Sequence, residues 1–288
     1  MKIFLDCYPC FLKQALECTK MSDGNPEVQK KVLNRTMEIL SEMDLNLSPP
    51  QIARDIYREI HAITGKDDPY MEIREKDNRQ MMEVYHDIRE RILKDKDSLL
   101  LACKLAAGGN IIDSGTGERK KDHTLSDVED ILITLPEIND FPALIHELEN
   151  SSSLLYLGDN SGEIVMDRLF IEAIKKDYPH LAIHFAVRGA PVINDIVLKD
   201  AQDTGIDELC GIVSNGDCSP GTDLRFCSEE FKDLFNSVDL IISKGQGNYE
   251  TISDLDKNIF HLLIAKCKVV ARHLEVDQGS MIIKKGSA

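Results

Sequence analysis

Four short apolar runs in the second half of the chain, each ending in a polar or glycine-bearing loop, constrain the fold more than any other feature of the sequence. From Asn150 onward, β-type runs alternate with amphipathic helical stretches, and that alternation implies a parallel sheet flanked by helices. The strand candidates are SLLYL before Gly158, AIHFAV before Arg188, ELCGIV before Ser214 and DLIIS before Lys244, then HLLIA and KVVAR. Residues 164–176 and 229–235 read as covering helices. The expected fold is therefore α/β: a Rossmann-like, mainly parallel, doubly wound sheet over 151–288, joined to an all-helical domain over 1–150.

The amino-terminal part reads as helices because its apolar positions recur at three and four, as in Val28, Val32, Leu33, Met37, Ile39 and Leu40. The segment PPQIARDIYREIHAITG opens on prolines and stops at Gly65, and a second long helix is expected from about Asp77 to Lys94. Charge runs such as IREKDNRQ read as solvated helix faces, and Met81–Met82 as core.

In an open parallel sheet the loops after the strands share the carboxyl edge, where ligands bind. The four loops read LGDNSGE, VRGAPVIND, VSNGDCSPGT and SKGQGNYE. Asp159, Asn160, Arg188, Asp195, Ser214 and Lys244 are thus expected to converge. Asp159 and Asn160 follow a strand and precede a helix, so they read either as oxygen ligands of a divalent cation or as helix caps. Asp195 carries the same two readings, and Glu163 ranks second because first-turn acids also serve the helix dipole. A lysine followed by glycines at Lys244 suits a phosphate, while the Ser214–Gly216 turn either lines the crevice or only reverses the chain.

Cys7 and Cys10 form a CxxC unit, with Cys18 eight residues further on. The spacing fits half a metal site, a redox pair, or core packing along one helix. With 34 Lys and Arg against 50 Asp and Glu, the net charge of −16 excludes a general nucleic-acid binder. No apolar run approaches the roughly 20 residues of a membrane helix, and the carboxyl-terminal KKGSA reads as a frayed end. An acid stands in the opening MKIFLDCYPC where a signal peptide is apolar, so a cytoplasmic location with reduced thiols is expected.

Taken in order, CYPC, AAGGNIIDSG at 106–115, GDNSGE at 158–163, RGAPVINDI at 188–196, SNGDCSPGT at 214–222 and SKGQGNYE at 243–250 resemble one family. It is the family of metal-dependent damage-control phosphatases related to the acidic residue methyltransferase protein, in its stand-alone microbial branch. The resemblance implies a helical part on a Rossmann-like domain, with a divalent metal (Mn, Co, Ni or Mg) held by Asp159, Asn160 and Asp195. It also favours Lys244 as a phosphate contact and brings Asn110 and Asp113 near the substrate. The implied reaction is hydrolysis of small phosphomonoesters, sugar phosphates or damaged phosphometabolites, with water or Asp159 itself as nucleophile. A non-catalytic binder of metal and phosphometabolite competes with this reading. So, more weakly, does an S-adenosylmethionine methyltransferase, although Asn160 occupies the middle of what would be its glycine loop. A haloacid-dehalogenase phosphatase is disfavoured because no DxDx[TV] follows a strand.

Overall fold

The computed structural model describes residues 1–109 and 125–286. Seven helices come first, α1 (Cys7–Ser22), α2 (Pro26–Glu42), α3 (Pro49–Thr64), α4 (Met71–Leu93), α5 (Ser98–Gly108), α6 (Leu125–Ile133) and α7 (Phe141–Asn150), with the two-residue strand β1 (Ile138–Asn139) before α7. The alternating part follows as β2 (Ser153–Leu157), α8 (Glu163–Asp177), β3 (Ala182–Val187), α9 (Leu198–Asp203), β4 (Gly211–Ser214), α10 (Glu229–Ser237) and β5 (Leu240–Lys244). It continues through α11 (Gly245–Ile252), β6 (Ile259–Ile264), α12 (Lys268–Leu274) and β7 (Met281–Lys285). Among the described residues no helix is long and apolar enough to cross a membrane.

The seven strands lie in the order β1-β7-β6-β5-β2-β3-β4, and every pair is parallel except β6–β7. The chain runs outward from β2 through β3 to β4, then returns to place β5 on the other flank of β2. That reversal opens a crevice at the carboxyl ends of β2 and β5, the switch point where doubly wound sheets bind ligands.

Strand alternation sorts the side chains between two layers. Leu154, Tyr156, Phe185, Leu240, Ile242, Phe260 and Leu262 enter one apolar cluster together with α4, α5 and α8. Leu155, Leu157, Ala186 and Ile241 face Phe231 and Phe235 of α10 on the opposite side. The apolar packing is continuous across residue 150. Helices α1 to α3 form a separate cluster around Phe11, Ala15, Ile52, Ile56 and Tyr57, which also takes in Val192 from the segment after β3.

Three sequence expectations need correction. KVVAR is not a strand: Cys267 caps this segment by accepting the Val270 amide at its Sγ, and Val269, Val270 and Ala271 are buried from helix α12. The final strand is Met281–Lys285, so two residues of the carboxyl-terminal KKGSA, expected to fray, pair with Phe260 and His261. IREKDNRQ is not a wholly solvated face, since Arg74, Asp77 and Asn78 are buried.

His261 on β6 is buried with neither ring nitrogen hydrogen-bonded, against the edge of Tyr249 at 5.0 Å. Burial, helped by Lys284, lowers its pKa to about 3. A depressed histidine contributes stability that is present above its unfolded value of about 6.5 and lost as pH falls toward the folded value. Denaturant midpoints are therefore expected to drop between pH 6.5 and 3, with this group contributing up to about 1.4 kcal/mol per pH unit. His261→Leu should flatten that slope; a slope unchanged in the variant would assign the acid sensitivity elsewhere.

Candidate active site

The loop after β2 and the segment after β3 form a short antiparallel ribbon. Asn160 bridges Asp195, the Ile196 amide donates to the Asp159 carbonyl at 2.9 Å, and the Ser161 amide donates to the Asn194 carbonyl at 2.9 Å. This pairing sets the two carboxylates side by side although 36 positions separate them. Burial, and next the charge of Asp195, raise the Asp159 carboxyl to about 7, against the opposing pull of Arg188, Lys266 and Lys244.

Arg188, the first residue after β3, lies behind the ribbon. Its Nε donates to Asp195 Oδ2 at 2.7 Å and its Nη2 is 3.6 Å from Asp159 Oδ1. Asn248 and Thr222 hold the guanidinium: Nη1 donates to Asn248 Oδ1 at 3.3 Å, and Asn248 itself donates to the Gly158 and Lys244 carbonyls. Asn160 Nδ2 donates both to Asp159 and to Glu163, the first residue of α8.

Lys244 sits below this floor. Its ammonium is fully buried and donates to Asp167 at 2.7 Å and Glu163 at 3.4 Å, and Tyr156 adds a hydrogen bond to Asp167. Burial raises the Asp167 carboxyl, and Lys244 and Tyr156 pull it back. Four buried carboxylates, Asp159, Asp195, Glu163 and Asp167, thus gather around two buried cations, Arg188 and Lys244.

Above the floor lies a cavity of about 430 Å³. Asp159, Asn160 and Asp195 form its base, the start of α11 (Gln246, Gly247) and Lys266 form one side, and Phe11, Pro50 and Tyr57 of the amino-terminal helices roof it. Lys244, Arg188 and Ser214 are not among the lining residues; the Ser214 hydroxyl accepts the Gly216 amide at 3.2 Å in its own turn. Asn110 and Asp113 lie outside the described residues.

Cys7, Cys10 and Cys267 line the same cavity as free thiols, and Cys18 is buried in the amino-terminal cluster. Burial, with Cys7 and Cys267 nearby, pushes the Cys10 thiol up to about 11. Among the described residues no group of three His, Cys, Asp or Glu is arranged to hold a metal ion. The donors that converge are two carboxylates and an amide, a hard all-oxygen set of the kind that suits a divalent cation.

The sequence reading missed Lys266 and Glu250. Lys266 follows β6, and the same strand-then-loop rule applied to HLLIA would have found it. Glu250 lines the cavity beside Gln246, which donates to it at 2.9 Å, and burial raises its carboxyl to about 7.

Gly245 fixes how closely β5 approaches the site. Its φ is +76°, and a Cβ there would stand 1.8 Å from Asp159 Oδ2. Gly245→Ala is expected to displace the Asp159 carboxylate, and an ångström-scale misplacement costs a site that works through Asp159 about 10²-fold in turnover. Unchanged turnover, with helix content retained by circular dichroism, would show that Asp159 is not held from this side.

A doubly wound α/β fold with a buried pair of carboxylates at its switch point defines the class of protein. Residues 3–282 match the damage-control phosphatase ARMT1-like domain, and the chain belongs to that family of phosphatases. It is 32% identical over 284 residues to damage-control phosphatase PH1575 of Pyrococcus horikoshii, covering 98% of this chain and 97% of that protein. It is 30% identical over 294 residues to a damage-control phosphatase of Archaeoglobus fulgidus, covering 99% of each. The crystal structure of the Pyrococcus horikoshii protein, described as a DUF89 family protein, superposes with a TM-score of 0.91 over the whole of both chains.

Proposed function

We propose that the chain is a metal-dependent phosphatase of small phosphomonoesters, sugar phosphates or damaged phosphometabolites. The observation that carries this reading is the buried Asp159–Asp195 pair, set side by side with the Asn160 amide at the base of a cavity walled by a lysine and a helix start. Asp159, Asn160 and Asp195 would hold the divalent ion, Mn, Co, Ni or Mg, which when bound polarises the phosphoryl group and activates water.

The protein's own residues supply the rest. Lys266 and the first-turn amides of α11 offset charge on the phosphoryl oxygens, because unpaired N–H groups and the helix dipole favour an anion there. Arg188 and Asn248 keep Asp195 and Asp159 in orientation from behind. Glu250, with its carboxyl raised to about 7, carries a proton for the departing oxygen at neutral pH. The apolar roof around Phe11, Pro50 and Tyr57 keeps water from the ester.

The test is phosphate release from a panel of small phosphomonoesters by metal-stripped protein, with each of the four ions added back. Release that needs an added ion supports the reading. Tight ion binding with no release from any ester would make the protein a binder instead.

A further inference from the structure

We infer that Asn78, on the helical part of the chain, is a positioning residue that locks the two ligand-bearing segments of the site to one another. The inference rests on the metal-binding reading above. On α4, residues 74, 77 and 78 share the stripe that continues as Met81, Tyr85, Ile88 and Ile92, since three- and four-residue steps stay on one helix face. The apolar part of the stripe packs in the core. Its first turn is polar and nevertheless buried, and it ends against the site loops.

Asn78 uses both ends of its amide there. Its Oδ1 accepts the Gly162 amide at 2.8 Å, directly behind Asp159 and Asn160, and its Nδ2 donates to Asp200 Oδ1 at 3.0 Å. Asp200 Oδ2 in turn accepts the Val197 amide at 2.9 Å, two residues past Asp195, and Arg74 Nε at 3.1 Å. Arg74 is held by Asp68 through two further bonds, at 2.8 and 2.6 Å. The neighbouring Asp77 receives the Ser161 hydroxyl at 3.4 Å. One side chain therefore joins the loop of Asp159 to the segment of Asp195 from outside the sheet. Such outer partners of ligand residues typically change metal affinity by 10- to 100-fold when removed.

The direction of each bond makes the inference testable by exchange of the two residues. In Asn78→Asp/Asp200→Asn, the residue 78 carboxylate can accept both the Gly162 amide and the new amide at 200. The residue 200 carbonyl can still accept Val197 and Arg74. Every bond is conserved and the net charge is unchanged. In Asn78→Asp alone, two carboxylates face each other; in Asn78→Ala, a buried amide loses its acceptor.

Two readouts are taken on the full chain: Mn²⁺ affinity by electron paramagnetic resonance titration, and hydrogen exchange of the Gly162 amide in metal-free protein. Asn78→Ala and Asn78→Asp should weaken Mn²⁺ binding 10- to 100-fold and speed Gly162 exchange at least tenfold, with helix content retained. The exchanged pair should return both to within about threefold of wild type, which a merely space-filling role would not do. Wild-type Mn²⁺ affinity in Asn78→Ala, or failure of the exchanged pair to recover, overturns the inference. If the wild-type chain binds none of Mn²⁺, Co²⁺, Ni²⁺ and Mg²⁺, the metal reading fails, and unchanged Gly162 exchange in Asn78→Ala would then reject the lock as well.

Discussion

Asp159→Asn is expected to lower phosphate release by about 10³-fold or more, the equivalent of several kcal/mol of transition-state stabilisation, and at the same time to stabilise the metal-free protein. The two effects have one origin. The Asp159 carboxyl is raised to about 7 because burial and Asp195 oppose its charge. A carboxyl raised in the folded state contributes stability that is fully present below its unfolded value near 4 and lost as pH rises through about 7. Asparagine carries no such charge, so the gain should be largest above pH 7 and vanish below about pH 4. Thermal melts of metal-free wild type and variant across that range, beside phosphate release at pH 7.5, check both halves. Activity within tenfold of wild type would remove Asp159 from the chemistry. Equal melting at pH 8 would show that its charge is already offset without a metal.

Lys244→Met should destabilise the fold by about 3–5 kcal/mol, because it leaves Asp167 and Glu163 buried without their cation. The loss should shrink as pH falls, since Asp167, already raised by burial, can take up a proton in place of the missing charge. Adding Asp167→Asn to Lys244→Met should recover part of the lost stability, as expected for one coupled buried pair. Urea midpoints for the two variants at pH 8 and pH 5.5 give the comparison. A midpoint close to wild type with KM raised many-fold would mean instead that the ammonium reaches the substrate.

Asp159, Asn160 and Asp195 come to one cavity, as the strand-then-loop rule expects, because β2 and β3 are consecutive parallel neighbours and both loops emerge on the same edge. The rule located Lys244 on the chain but not the direction of its side chain. Strand parity held that information: Leu240, Ile242 and Lys244 share one face, and the first two belong to the layer of α8, so the lysine turns beneath the site. KVVAR misled because β-branched residues also suit a short buried helix when a local cap starts it, and Cys267, which does so here, is not one of the usual capping residue types. IREKDNRQ misled because charge was weighed without phase. Placed on the stripe of Met81 and Tyr85, its Arg74, Asp77 and Asn78 face inward. Ser214 failed to reach the cavity because β4 lies at the sheet's far edge, two strands from the switch point.

The return of β5 to the flank of β2 also determines when, during synthesis, an active molecule can exist. Ribosomes deliver the chain at about 5–20 residues per second, amino-terminal end first. The segments of Asp159 and Asp195, and α8 with its two acids, are therefore made several seconds before Lys244 and Gly245. During that interval Glu163 and Asp167 lack the ammonium that accompanies their burial, and nothing yet abuts Asp159 from the β5 side. The nascent chain cannot bury this acidic group cheaply until its last quarter has emerged and β5 has docked. Closure of the sheet and completion of the site are thereby a single late event in the birth of the protein.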